Sequence, residues 1–331
     1  MRRDVHQHSL QPLKYQRHIL SRPIIRVRRR PWLELIKTGI DMRYGKRLPT
    51  LSVVGDDSVT AVFEDGTAEV GTLMIGAEGA HSPRCQFLFH TAPREGALLT
   101  CPTVTSCAIT KLDSKITAAL AKLHPCLVST VDPSGLLTWI GIHDSSPVSP
   151  TEWTYMILLS WNDPSDLTLN KLGENSPAIL ADLHSRVEHL ASPFKEAIQG
   201  IPEGTKAWHG RLCYWPTKPW DNLGGRVTLA GDAAHPMTFR LYRGQGLGNA
   251  IADAAELQKH LQDMKAHTPA ALAEVVRKYE EEMWVRGLEA VKVNLENTVA
   301  IHDWKKTRSS AILRSGVKRD AEIGVTRESQ G

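Results

Sequence analysis

Apolar residues follow two periodicities along this chain, one typical of helices and one typical of strands. After Pro31, the segment WLELIKTGI places apolar residues at helical spacing and predicts a short amphipathic helix. Longer helical patterns over about 246–265 and 270–300 predict two helices near the carboxyl end. Alternating apolar residues on either side of Asp65 and Gly66 predict a β-hairpin.

The next segment, GTLMIGAEG, carries a nearly continuous apolar run, which is typical of a strand covered on both faces. The pattern then changes, because strand-like pieces such as GLLTWIGIHD and EWTYMILLSW alternate with polar turns. We therefore predict a mixed α/β fold in which a sheet-rich domain is inserted into an outer domain. In chain order, we expect an irregular segment (1–25), the first part of the outer domain (26–95), the inserted domain (96–215), the second part of the outer domain (216–265), and C-terminal helices with a tail (266–331).

The charge of the chain is uneven. The formal net charge is only +4, but the segment SRPIIRVRRRP holds five arginines. Such a run suits nucleic acid, an acidic membrane surface, an import receptor, a phosphate-bearing cofactor, or simple solvation. Because no aromatic residues are interleaved with the arginines and no known module surrounds them, we do not expect nucleic-acid binding.

Cysteine spacing and hydropathy limit the cellular compartments that we expect for the protein. The five cysteines form no CxxC pair and no zinc-ligand spacing, so we expect neither a disulfide nor a metal site. The amino terminus lacks the apolar run of a signal peptide, and no window approaches about 18 uninterrupted apolar residues. We expect a soluble, cytoplasmic protein without a membrane span.

The most informative segment is RVTLAGDAAHPMTFRLYRGQGLGNAIADA, which begins at Arg226. Asp232 follows the apolar strand, where its carboxylate can accept hydrogen bonds from ligand hydroxyls. A helix that starts around Gly244, Gln245 and Gly246 offers free N–H groups and a positive dipole end. Together these features predict a site for a ligand that has both hydroxyls and an anionic part.

Three motifs resemble those of FAD-dependent monooxygenases of the aromatic-hydroxylase family, most closely the fungal members that act on secondary metabolites. The segment above resembles the family's second flavin-binding motif, and GAEGAHSPR, residues 76–84, is similar to its middle motif. The tetrapeptide from Arg30 to Leu33 resembles its Arg-x-x-Leu. The outer domain would then be a Rossmann-like FAD-binding domain, and the inserted domain would bind substrate.

The resemblance implies a role for each matching residue. Asp232 would hold the ribityl hydroxyls of FAD, and Arg30 would pair with the pyrophosphate. The helix start, formed by Gly244, Gln245, Gly246 and Leu247, would lie near the flavin pyrimidine edge, where reduced flavin develops negative charge.

The resemblance also implies a reaction. NAD(P)H would serve as co-substrate to reduce FAD, and an oxygen atom would pass from O2 to a small-molecule substrate, in a hydroxylation or epoxidation. The substrate class would be an aromatic, polyketide or terpenoid metabolite. We name no catalytic acid or base. Tyr155, Trp139 and Trp161 could line the substrate pocket, although core packing is the favoured role for these three.

The sequence also departs from the family pattern. Glu78 stands where the family prefers Asp, and Gly248 stands where it has Asn, with Asn249 one position later. His235 is expected to be structural. No G-x-G-x-x-G opens a βαβ unit, so we expect an incomplete Rossmann-like domain and a truncated product that binds FAD poorly, folds marginally, or both. An inactive remnant and a flavin-fold cyclase or isomerase without redox turnover are the alternatives.

Overall fold

The structure is a computed structural model that describes residues 29–54, 57–146, 149–165, 167–238 and 245–309. Helices and strands are mixed along this part of the chain, as predicted for the fold class. The helices are α1 (Arg29–Ile36), α2 (Pro83–Leu88), α3 (Ser114–Leu123), α4 (Leu167–Leu172), α5 (Ser176–Arg186), α6 (Phe194–Gln199), α7 (Gln245–Gln262), α8 (Pro269–Ile301) and α9 (Trp304–Ser309). The strands are β1 (Thr50–Val54), β2 (Ser58–Val62), β3 (Ala68–Gly71), β4 (Met74–Gly76), β5 (Leu99–Lys111), β6 (Leu127–Val131), β7 (Leu137–Asp144), β8 (Thr154–Asn162), β9 (Ala207–Tyr214) and β10 (Val227–Leu229).

The chain divides into two compact units. The strand-pair unit comprises Leu33–Thr103 and Arg211–Val299, and the sheet unit contains Val104–Gly210 with residues 29–32 and 300–309. The boundaries predicted from the sequence stay a prediction, because compactness alone does not define the roles assigned to those domains.

The strand-pair unit takes its name from the parallel pair β4 and β10, in which Met74 lies opposite Val227. Every residue of β10 is fully buried, since α8 packs beside it. The Tyr279 hydroxyl of α8 donates a hydrogen bond of 2.7 Å to the Leu229 carbonyl oxygen, which fixes the end of β10. This end is the place from which the chain turns toward Asp232.

Strand β4 differs from the expectation that both its faces are covered. The Ile75 side chain is 41% exposed, and Met74 is only partly buried. The described residues leave this face of β4 partly open, and β4 is also bonded to β10 on one edge and to no second strand among them. An apolar run was therefore not enough to indicate how much of the strand is covered.

The predicted hairpin is present in the same unit. Strands β2 and β3 pair antiparallel, with Val62 opposite Ala68, and β1 extends them to a three-stranded sheet. Gly66 has a φ of 81°, the left-handed conformation that glycine adopts without strain.

The sheet unit is built on five strands in the order β6-β7-β8-β5-β9. One face carries apolar residues such as Ile157 and Leu159, which pack with Ile179 and Leu183 of α5. Tyr155 and Trp161 belong to this core, as favoured for them from the sequence. Trp139 is also buried, and its indole lies over Gly141, where an added Cβ would come within 2.5 Å of the ring.

The predicted helices near the carboxyl end are confirmed by α7 and α8. The helix expected after Pro31 is also present as α1, although it starts at Arg29 and buries none of its residues.

Candidate cofactor site

A tight turn at the end of β10 presents Asp232. Residues Gly231–Ala233 form a single 3-10 turn, and Gly231 opens it with a φ of 62°. Asp232 is exposed, whereas Gly231 and Ala233 on either side are buried. The Asp232 carboxylate forms no hydrogen bond or ion pair with another described residue.

The first turn of α7 lies beside this carboxylate. A Cβ added at Gly246 would lie 3.6 Å from Oδ1 of Asp232. The missing side chain thus leaves the carboxylate open toward the start of the helix, where backbone N–H groups have no partner within the helix. Gln245 and Gly246 are partly buried, and Leu247 is 57% exposed. Of the residues predicted for this helix start, Gly244 falls outside the described residues.

A fully buried carboxylate, Asp253, lies behind the Asp232 turn. Its Oδ2 accepts hydrogen bonds from the Gly231 N–H at 2.6 Å and from Nε2 of His235 at 2.8 Å. Its Oδ1 accepts one from Nη2 of Arg286 at 2.7 Å. Burial by itself raises the pKa of Asp253, but these hydrogen bonds and the nearby charges outweigh it and hold the pKa below its ordinary value.

His235 is buried and hydrogen-bonded within the protein, in keeping with the structural role expected from the sequence. It is fully buried at the end of the turn, and its backbone N–H donates to the Gly231 carbonyl oxygen at 3.0 Å. Because a carboxylate only accepts, Nε2 is the nitrogen that donates to Asp253. The ring also lies against Gly287 of α8, where an added Cβ would come within 3.1 Å of the His235 Cβ.

Arg286 of α8 reaches the start of α7 as well. Its Nη1 donates to Oδ1 of Asn249 at 2.9 Å, and Nδ2 of Asn249 donates to the Gln245 carbonyl oxygen at 2.9 Å. Asn249, one position later than the Asn of the family pattern, therefore points toward α8 and the helix backbone. Sequence reasoning had given no role to Asp253 or Arg286. The spacing of four residues between Asn249 and Asp253, which places both on one face of α7, was the available signal.

The middle motif folds as a helix cap. Ser82 caps α2, because its hydroxyl accepts hydrogen bonds from the N–H groups of Arg84 and Cys85 at 3.1 Å. Glu78 accepts a hydrogen bond of 2.8 Å from the Ser82 hydroxyl and lies 3.7 Å from Nε of Arg84. The longer side chain at position 78 thus serves the local structure of the motif.

Arg30 lies in α1 with an exposed side chain. Its role toward a pyrophosphate stays a prediction. None of the five cysteines forms a disulfide, and the described residues contain no group of acidic, His or Cys side chains arranged to hold a metal ion. Among the described helices, none combines the length and apolarity needed to cross a membrane.

Several curated fungal proteins are similar in sequence to this chain. No protein-family profile matches the chain. It is 43% identical over 294 residues to the FAD-dependent monooxygenase cctM of Talaromyces islandicus, covering 89% of this chain and 72% of that protein. It is 30% identical over 296 residues to the FAD-dependent monooxygenase phnB of Penicillium herquei, covering 88% of this chain and 70% of that protein.

The same likeness extends to solved structures. The complex of Klebsiella pneumoniae HpxO with FAD and uric acid matches with a TM-score of 0.63 at 22% identity, over 82% of this chain and 62% of that one. At this identity the match supports the fold alone. The chain thus spans less than two thirds of that solved structure.

Proposed function

We infer the function of this chain from its family: it belongs to the FAD-dependent monooxygenases, since it is 43% identical to one of them over 89% of its own length. Members of this family are oxidoreductases, and FAD is their cofactor. We propose that this chain binds FAD at the Asp232 turn and the first turn of α7, and that it acts as a monooxygenase.

The observation that carries the proposal is the exposed Asp232 carboxylate, which faces the start of α7 and has no partner among the residues that the structure describes. FAD combines ribityl hydroxyls, which donate hydrogen bonds to a carboxylate, with a ring that becomes negatively charged on reduction. Asp232 would hold the ribityl hydroxyls. The N–H groups of Gln245, Gly246 and Leu247 at the positive end of α7 would stabilise the negative charge. The residues present therefore fit the cofactor that the family requires.

When bound, FAD supplies the redox chemistry that transfers electrons from NAD(P)H and activates O2. The residues of this chain bind and orient it. Asp232 would fix the ribityl chain, and the start of α7 would favour the reduced, anionic ring by about 0.3–1 kcal/mol per interaction near an exposed helix end.

We propose a small aromatic, polyketide or terpenoid metabolite as substrate, with NAD(P)H as electron donor, because the sequence motifs most closely resemble those of fungal secondary-metabolite enzymes. The cytoplasmic location expected from the sequence stays a prediction.

A visible spectrum of the purified chain tests this function. With added FAD, we expect a bound-flavin absorption band that bleaches under NADPH or NADH without oxygen and returns in air, and substrate screening would follow oxygen uptake. A bound flavin that neither reductant bleaches would favour the cyclase or isomerase alternative. A folded chain that binds no flavin would contradict the proposal.

The role proposed for Arg30 has a matched control next to it. Arg29 is also exposed in the first turn of α1. We expect Arg30→Ala to weaken FAD binding by about tenfold, as loss of a charge-assisted hydrogen bond does, and Arg29→Ala to leave it nearly unchanged. Equal effects of the two substitutions would count against the assignment.

A further inference from the structure

One side chain, that of Asp253, is hydrogen-bonded to both ends of the turn that carries Asp232. Gly231 precedes Asp232 and His235 follows it, and both donate hydrogen bonds to the same oxygen, Oδ2 of Asp253. Asp253 lies on α7, the helix whose first turn faces the Asp232 carboxylate. The direction in which Asp232 points relative to α7 is therefore set through Asp253.

The other oxygen of Asp253 connects the turn to α8. Arg286 donates to Oδ1 of Asp253 through Nη2 and to Asn249 through Nη1, and Asn249 in turn bonds the carbonyl oxygen of Gln245. One guanidinium thus organises both halves of the candidate site, the strand-end turn and the first turn of the helix. We call Asp253, His235, Asn249 and Arg286 the Asp253 network.

From this geometry we propose that Asp253 is a positioning residue for the cofactor, which holds Asp232 in the orientation that binds the ribityl chain. The inference rests on the proposed function, since it takes Asp232 to be a ligand of FAD. It assigns to Asp253 no contact with the cofactor.

A carboxylate is the only side chain of this size that satisfies the network. All three partners of Asp253 are donors, and a carboxylate offers acceptors on both oxygens. In Asp253→Asn, one of the two oxygens becomes an NH2 group that faces a donor, either Arg286 or the pair Gly231 and His235. A buried donor left facing a donor is unfavourable, so the turn is expected to shift and to carry Asp232 with it.

A double-mutant cycle on the full chain distinguishes positioning from general stability. The variants are Asp253→Asn, Asp232→Asn and the two combined, and the dissociation constant of FAD is measured by titration of flavin absorbance. We expect each single substitution to weaken FAD binding by about tenfold or more. If Asp253 acts through Asp232, adding Asp253→Asn to Asp232→Asn should weaken binding by less than about threefold.

Glu280→Gln is the matched control. Glu280 is a second fully buried carboxylate of the strand-pair unit that also accepts hydrogen bonds from three donors, Trp220, Asn222 and Thr228. Its substitution should lower the unfolding temperature of the FAD-free protein, as that of Asp253 does, but leave the FAD dissociation constant within about twofold of wild type. Equal weakening by the control would mean that lost stability, not positioning, explains the effect of Asp253.

His235 provides a second route if Asp253→Asn does not fold. Gln can place an amide donor near the position of Nε2, whereas Leu cannot. We expect His235→Leu to weaken FAD binding several-fold and His235→Gln to recover most of the loss, since about 1 kcal/mol per hydrogen bond corresponds to roughly fivefold. Equal binding by these two variants would overturn the inference.

The outcomes separate the two proposals. If the wild-type chain binds no FAD, the proposed function fails and the inference fails with it. If wild type binds FAD and Asp253→Asn binds it equally well, the inference alone fails. Multiplicative effects of Asp232→Asn and Asp253→Asn would also overturn it, because independent sites add in free energy.

Discussion

Glu280 makes the stability of the strand-pair unit depend on pH. The side chain is fully buried in α8, where its two oxygens accept hydrogen bonds from Trp220 (2.8 Å), Thr228 (2.8 Å) and Asn222 (2.7 Å). Burial raises the pKa of Glu280 from 4.5 to about 7, against the opposing effect of these three hydrogen bonds, and the charge of Asp221 adds to the rise.

The direction of this pH dependence follows from the protonation of Glu280 in the folded and unfolded states. Between the ordinary value of 4.5 and about 7, folded Glu280 keeps its proton while the unfolded chain releases it. The contribution of Glu280 is therefore fully present below pH 4.5 and is lost as the pH rises through about 7. At about 1.4 kcal/mol per pKa unit, the whole loss is roughly 3 kcal/mol.

Glu280→Gln isolates this contribution, because Gln does not titrate. The assay is urea unfolding of both proteins, followed by tryptophan fluorescence, from about pH 5 to about pH 8. The free energy of unfolding of wild type should fall relative to the Gln variant by roughly 2–3 kcal/mol over this range, since other titrating groups cancel in the difference. A difference between the two proteins that does not change with pH, or that grows in the opposite direction, would refute the reasoning.

Three further substitutions test the local packing. Gly76→Ala should destabilise the FAD-free protein by about 2 kcal/mol or more, because the new Cβ would lie 2.6 Å from the Arg84 Cβ; Gly210→Ala, with nothing within 4 Å, is the control. Ser82→Ala should lower the free energy of unfolding by about 1 kcal/mol through loss of the α2 cap, and an unchanged value would contradict the cap. Gly248→Ala should raise the free energy of unfolding by about 0.5–1 kcal/mol, because Ala favours the helix more than Gly does and the new Cβ has free space. A lower temperature of thermal unfolding would contradict this.

The elements that sequence predicted well are those whose signal is local. The hairpin around Gly66 needs only alternation and a residue that tolerates positive φ, and α7 and α8 need only their helical period. Strand β4 was misjudged, because the coverage of Ile75 depends on which distant segments pack over that face of the strand. That information is not contained in the nine residues of the segment.

The residues of the candidate site also differ in whether the sequence alone could predict their roles. Asp232 and the α7 start at Gly246 could be predicted, because both are in one motif and their chemistry is readable from residue type. Asp253 and Arg286 could not be given roles, because their contacts join α7, α8 and the strand-end turn across 33 and 22 residues of sequence. Only the folded chain shows that Asp253 supports the turn before Asp232.

The most direct test of the account is the FAD dissociation constant of Asp232→Asn beside that of Asp263→Asn. Asp263 is an exposed carboxylate just beyond the end of α7, far along the helix from Gly246. We predict that Asp232→Asn weakens FAD binding by about tenfold or more, because it removes charged hydrogen bonds to the ribityl chain, and that Asp263→Asn binds as wild type does. Equal FAD binding by wild type and Asp232→Asn would contradict the central claim.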